Sequence, residues 1–107
     1  MTAAADRRAA PDAAPITLPT ALTMGSTAAA HRAVMASLAG RASGSRVTLD
    51  ASALQDVDSS ALALLLDAQR QAQALGLTLS VNGAPDRLKQ LAALYGVAEL
   101  LGWPARA

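Results

Sequence analysis

Arg46-Val47-Thr48-Leu49-Asp50 and, a polar turn later, Asp58-Ser59-Ser60-Ala61-Leu62-Ala63-Leu64-Leu65-Leu66 decide the fold. In the first stretch Val47 and Leu49 fall on one side and Thr48 on the other, the period of a strand with one buried face. The second opens a helix. Ala61, Leu64, Leu65, Ala68, Ala72 and Leu75 recur at steps of three and four, and Leu62 and Leu66 widen that stripe. Asp67, Gln69, Arg70, Gln71 and Gln73 fall on the watered side. Gly76 supplies a stop at the carboxyl end. At about 1.5 Å per residue the helix is roughly 25 Å long, enough to lie across a small sheet. Between strand and helix, Leu54 and Val57 are apolar pegs that pin the turn to a core.

Working outward, Leu77-Thr78-Leu79-Ser80-Val81 alternates cleanly and predicts a second strand. Asn82-Gly83-Ala84-Pro85 turns out of it, with Pro85 suited to the first turn of a helix. Leu88, Leu91, Ala92 and Tyr95 give that helix its apolar stripe, and Gly96 ends it. Val97, Leu100 and Leu101 suggest one more apolar turn before Gly102-Trp103-Pro104. Upstream, Gly25-Ser26-Thr27 offers a hydroxyl N-cap for a helix to about Leu38, with Val34, Met35 and Leu38 as its stripe. Pro15-Ile16-Thr17-Leu18-Pro19 and Ala21-Leu22-Thr23-Met24 read as short strands, or as one strand broken by Pro19, which points to a sheet edge. Residues 1–14 are Ala, Pro, Asp and Arg without a period, and read as a disordered tail. No internal repeat is visible.

The chain has 107 residues, which fits one domain. Hydrophobic residues make up 52% of it, but many are alanine, and there is no Phe, one Tyr and one Trp. A core of Leu, Val and Ala favours thin layers of helix on sheet over a deep aromatic cavity. Strands alternating with helices predict an α/β domain, a small and mainly parallel sheet with helices packed on one face. The other face is then partly open and a candidate contact surface. A net charge of +1 argues against nucleic acid as a partner, since phosphate contacts need clustered cations. Without cysteine there is no disulfide, thiolate nucleophile or Cys-based metal site. No apolar run approaches the roughly 20 residues of a membrane span.

These residues also carry a family resemblance. Val47-Thr48-Leu49-Asp50, a short gap, then Val57-Asp58-Ser59-Ser60-Ala61-Leu62 resembles the strand and Asp-Ser-Ser-Gly-Leu turn of STAS domains. Those domains are found in anti-sigma factor antagonists and in the cytosolic tails of sulfate transporters. The likeness runs from Ile16 to Leu101, with residues 15–107 expected to form the single STAS-type domain. Two details are similar to the small STAS subunit of the Mla-type phospholipid transporter. One is Asp58 to Leu66, beside that subunit's Asp-Thr-Gly-Gly-Leu-Ala-Leu-Leu-Leu. The other is Leu91-Ala92-Ala93-Leu94-Tyr95, beside its Leu-Ala-x-Leu-Tyr. Ala61 stands where many STAS domains have glycine, and Ser59-Ser60 replaces Thr-Gly.

The resemblance implies a non-enzymatic, cytoplasmic subunit that binds the ATPase of an ABC transporter maintaining outer-membrane lipid asymmetry. It would touch the inner membrane only through that complex. The Ser-Ser turn implies the other member of the family, an anti-sigma factor antagonist that a partner serine kinase phosphorylates at Ser59. In both, the contact surface centres on Asp58, Ser59 and Ser60, with Leu54, Gln55 and Leu62 beside them.

From the residues alone, Ser59 is either a helix cap, with Asp58, or an exposed hydroxyl where a phosphate would meet free N–H groups and the helix dipole. Asp50, Asp56 and Asp58 read as turn and cap residues ahead of a cation site. Lys89, the one lysine, lies too late in the chain to complete a phosphoacceptor pocket. His31 has no spaced partner and reads as an exposed helix residue. Trp103 either covers the domain's own edge or anchors a partner. No acid–base or nucleophile–base pair suggests catalysis, and no cofactor or metal is implied.

Overall fold

A computed structural model describes residues 14–103; the tail expected over residues 1–14 lies almost wholly outside that range. Five short strands and three helices follow in order: β1 (Ile16–Thr17), β2 (Ala21–Leu22), α1 (Thr27–Ala39), β3 (Arg46–Asp50), β4 (Asp56–Val57), α2 (Ser59–Ala74), β5 (Thr78–Asn82) and α3 (Asp86–Leu94). A 3₁₀ turn at Glu99–Leu101 closes the described chain.

The strands form two parallel ladders, β1-β3-β5 and β2-β4. In the first, Ile16 lies beside Leu49, and Val47 and Leu49 lie beside Leu79 and Val81. Those side chains point toward the helices: Val47, Leu49 and Leu79 are buried and Val81 is half-buried. The alternate residues, Arg46, Thr48, Thr78, Ser80 and Asn82, make the opposite face polar, with the Thr48 and Ser80 hydroxyls 3.5 Å apart. That face is therefore open as expected, but it offers hydroxyls where an apolar contact surface would need hydrocarbon.

β4 was not legible in the sequence, where Leu54 to Val57 read as turn. Both pegs are indeed buried, and the segment between them also pairs with β2. A two-residue strand has too few alternations to register as a period. In the other ladder β1 is an edge strand flanked by Pro15 and Pro19, the edge position that Pro19 pointed to.

α2 is the organising helix. Ala61, Leu64, Leu65, Ala68 and Ala72 are all within 1% of full burial, and α1 packs beside the helix. Gly76, at φ 76°, takes the left-handed position just past the Leu75 cap. α1 buries Val34 and Leu38. Its Ser26 does not cap it. The Ser26 hydroxyl instead accepts from Thr23 N–H at 3.1 Å and reaches back to the Ala21 carbonyl at 3.2 Å, serving the preceding turn. In α3, Pro85 sits at the N-cap, and Leu88 and Ala92 are buried. The expected stripe fails at its last member, because the helix ends at Leu94 and leaves Tyr95 56% exposed. Likewise Leu101 is buried and Leu100 faces out. Trp103 packs into the domain's own core, 8% exposed.

Candidate functional site at the mouth of the central helix

The loop out of β4 delivers Asp58 in extended backbone, φ −140° and ψ −167°, as the N-cap of α2. One carboxylate oxygen accepts the Ser60 N–H at 2.8 Å and the Ser60 hydroxyl. The other accepts Met24 N–H at 3.0 Å from the loop before α1. These donors favour the charged form, and the Asp58 carboxyl titrates below its ordinary 3.8, with the Ser60 hydroxyl the largest cause, then Ser60 N–H, then Met24 N–H. Asp58 thus fastens the start of α1 to the start of α2.

Ser60 belongs to that fastening. Its hydroxyl lies 2.9 Å from the Thr27 hydroxyl, which also bonds the Thr23 carbonyl. Two hydroxyl hydrogens stand among three contacts, so not all three are full hydrogen bonds at once. Ser59 stands apart. It is the first helical residue, exposed, and makes no side-chain hydrogen bond among the described residues. The choice between cap and exposed hydroxyl is thereby resolved: Asp58 caps, Ser60 supports it, and Ser59 faces outward at the helix N-terminus.

Beside Ser59 runs a shallow groove of about 340 Å³, lined by Ser59, Leu62, Ala63, Leu66, Tyr95 and Val97. The four α2 residues occupy positions i, i+3, i+4 and i+7, a second stripe next to the core stripe. Leu62 is 3% exposed and forms part of the floor, while Ala63 is exposed and Leu66 half-buried. Tyr95, 56% exposed, rims the groove. Met24, 84% exposed, is tied by its backbone N–H to the Asp58 cap.

The remaining expected contact residues divide. Gln55 is exposed, with its N–H on the Thr20 carbonyl at 2.7 Å. Leu54 is buried and holds the turn from inside. Ala63, Leu66, Tyr95 and Val97 were missed as groove residues. Ala63 and Leu66 fall four and seven residues after Ser59, a spacing visible in the sequence, but a stripe that touches the core stripe reads as more core.

The other titratable candidates lie elsewhere. Asp50 accepts Ser52 N–H at 3.0 Å and the Ser52 hydroxyl at 2.7 Å, with the hydroxyl the larger cause of its lowered pKa. Among the described residues no three His, Cys, Asp or Glu side chains gather as metal ligands would. His31 is not the plain exposed residue that was expected. Its Nε2 lies 3.0 Å from Asp67, whose other oxygen accepts Arg70 at 3.0 Å, so it bridges α1 and α2. Gln69 also departs from the watered face, donating to the Leu79 carbonyl at 3.3 Å.

A cap that fixes two helix starts, one outward hydroxyl and an apolar groove beside it lie together at the amino end of α2. A family model described as "Mlab, STAS domain" matches residues 5–102. The chain is a STAS domain of this MlaB type. The match begins inside the stretch whose composition reads as a tail, and ends at the 3₁₀ turn after α3. No curated protein matches the chain. STAS domains are generally non-catalytic. No helix among the described residues of this STAS domain is long and apolar enough to cross a membrane.

Proposed function

We propose that this protein is a non-enzymatic STAS subunit that binds and supports the ATPase of an Mla-type, phospholipid-transporting ABC transporter. In this reading it is cytoplasmic and reaches the inner membrane only through that complex. The observation that carries the proposal is the groove along α2. Ser59, Leu62, Ala63 and Leu66 are presented together with Tyr95, so the two segments that resemble the transporter subunit meet on one surface. An ATPase helix or loop would lay apolar side chains against Leu66 and Tyr95 and approach Ser59 at the rim. Aromatic anchors in such a patch carry a large share of binding energy.

A second reading has its own observation. The Ser59 hydroxyl is accessible and outside the capping network, at a helix N-terminus where a phosphate would be stabilised. This suits an anti-sigma factor antagonist modified by a serine kinase. Affinity purification of the tagged full chain from its native host separates the two. The transporter reading expects an ABC ATPase to co-purify stoichiometrically; recovery of a serine kinase without an ABC ATPase contradicts it.

A further inference from the structure

The two edges of the β1-β3-β5 sheet are unlike each other. β1 is two residues long and bracketed by prolines, both of them standard defences of an edge against added strands. β5 is five residues long, Thr78-Leu79-Ser80-Val81-Asn82, with no proline, no charged residue and full register against β3. Its direction of pairing is fixed at both ends: Thr78 N–H bonds the Ser45 carbonyl at 3.0 Å, and the Asn82 carbonyl accepts Ala51 N–H at 2.8 Å. Strand alternation then turns the N–H and C=O groups of Leu79 and Val81 away from β3, to the outer edge. Among the described residues one bond reaches that outer side, the weak 3.3 Å contact of Gln69 with the Leu79 carbonyl.

We infer that the β5 edge is a self-association site, pairing antiparallel with β5 of a second copy about a two-fold axis at Ser80. The pattern is self-complementary. With Ser80 opposite Ser80 of the second copy, Leu79 of each chain faces Val81 of the other, and each such pair exchanges two N–H···O bonds. Gln69 swings off the Leu79 carbonyl to admit one of them. The uncharged strand brings no like charges together, which is what permits pairing with itself. Half-buried Val81 gains an apolar neighbour, while Ser80 meets its copy on the polar face. The site is separate from the α2 groove and does not depend on the partner proposed there. A contact of one strand edge falls in the weak, transient class, so it forms at high protein concentration.

The absence of cysteine makes the register directly testable. Opposed residues of a non-hydrogen-bonded antiparallel pair have Cα atoms about 4.5 Å apart, within disulfide range. Ser80→Cys, oxidised gently, is expected to give a covalent dimer on a non-reducing gel, whereas Ala63→Cys on the α2 surface does not. In sedimentation equilibrium, the natural chain moves toward twice its mass as concentration rises. Ser80→Lys and Ser80→Glu each lose that shift, and mixing them restores it. This rescue separates repulsion across the axis from misfolding. A chain that stays monomeric at every concentration overturns the inference, even if the edge then takes a strand from another protein. So does a dimer that Ser80→Lys leaves intact and Ser80→Cys does not cross-link.

Discussion

Adjacent serines have been given different work. Ser60 donates to Asp58 and touches Thr27, so Ser60→Ala removes the hydroxyl that links α1 and α2. We expect it to lower stability by about 1 kcal/mol in urea denaturation. Asp58 adds a pH dependence of defined sign. Its folded pKa lies below the ordinary 3.8, so its contribution is complete above that value and is lost as pH falls through the lower folded one. Asn can occupy the same cap without the charge. The melting temperature of the natural chain should therefore exceed that of Asp58→Asn near neutrality, with the gap closing below pH 3.8. Asp50 shifts in the same direction in both proteins and cancels from the difference. A gap that stays constant down to acid pH would dissociate Asp58's charge from the fastening.

Helix α2 faces two ways, and neighbouring leucines report on each face. Leu65 is fully buried in the core stripe, whereas Leu66 is half-buried in the groove. Leu65→Ala should cost about 2–5 kcal/mol. Leu66→Ala should cost about 1 kcal/mol, with its larger effect on partner binding. Comparable losses of stability from both would mean that the groove is simply core. The turn after β5 is equally constrained. Gly83 sits at φ 73°, and a Cβ there would lie 2.9 Å from Ser52 Cβ and 3.1 Å from the Ser52 backbone. Gly83→Ala must both strain its backbone and push apart the turns that follow β3 and β5. Chemical denaturation should show a loss of more than about 1 kcal/mol.

At the scale of the whole molecule, what the sequence disclosed follows from the number of residues that carried each signal. The long α2 stripe and the alternating β3 and β5 repeat often enough to be read, and parallel pairing followed from the helices between them. β4 has two residues and shows its nature only through its pairing with β2. The site was half legible. Asp58-Ser59-Ser60 announced a helix mouth, but which of the three would cap depends on the backbone at Asp58 and on Met24, 34 residues earlier in the chain. Tyr95 and Val97 join the groove because α3 stops at Leu94, one residue before the apolar period would have buried the tyrosine. Such meetings of distant segments have no local pattern.

The central claim is that this assembled surface, Ser59 with the groove beside it, is where a protein partner docks. Titration of the co-purifying partner with the natural chain and with Ser59→Arg tests it most directly, because Ser59 lies outside the cap and the core. We predict at least about tenfold weaker binding by calorimetry, about 1.4 kcal/mol, with the melting temperature unchanged. Equal affinity for the two proteins would contradict the account.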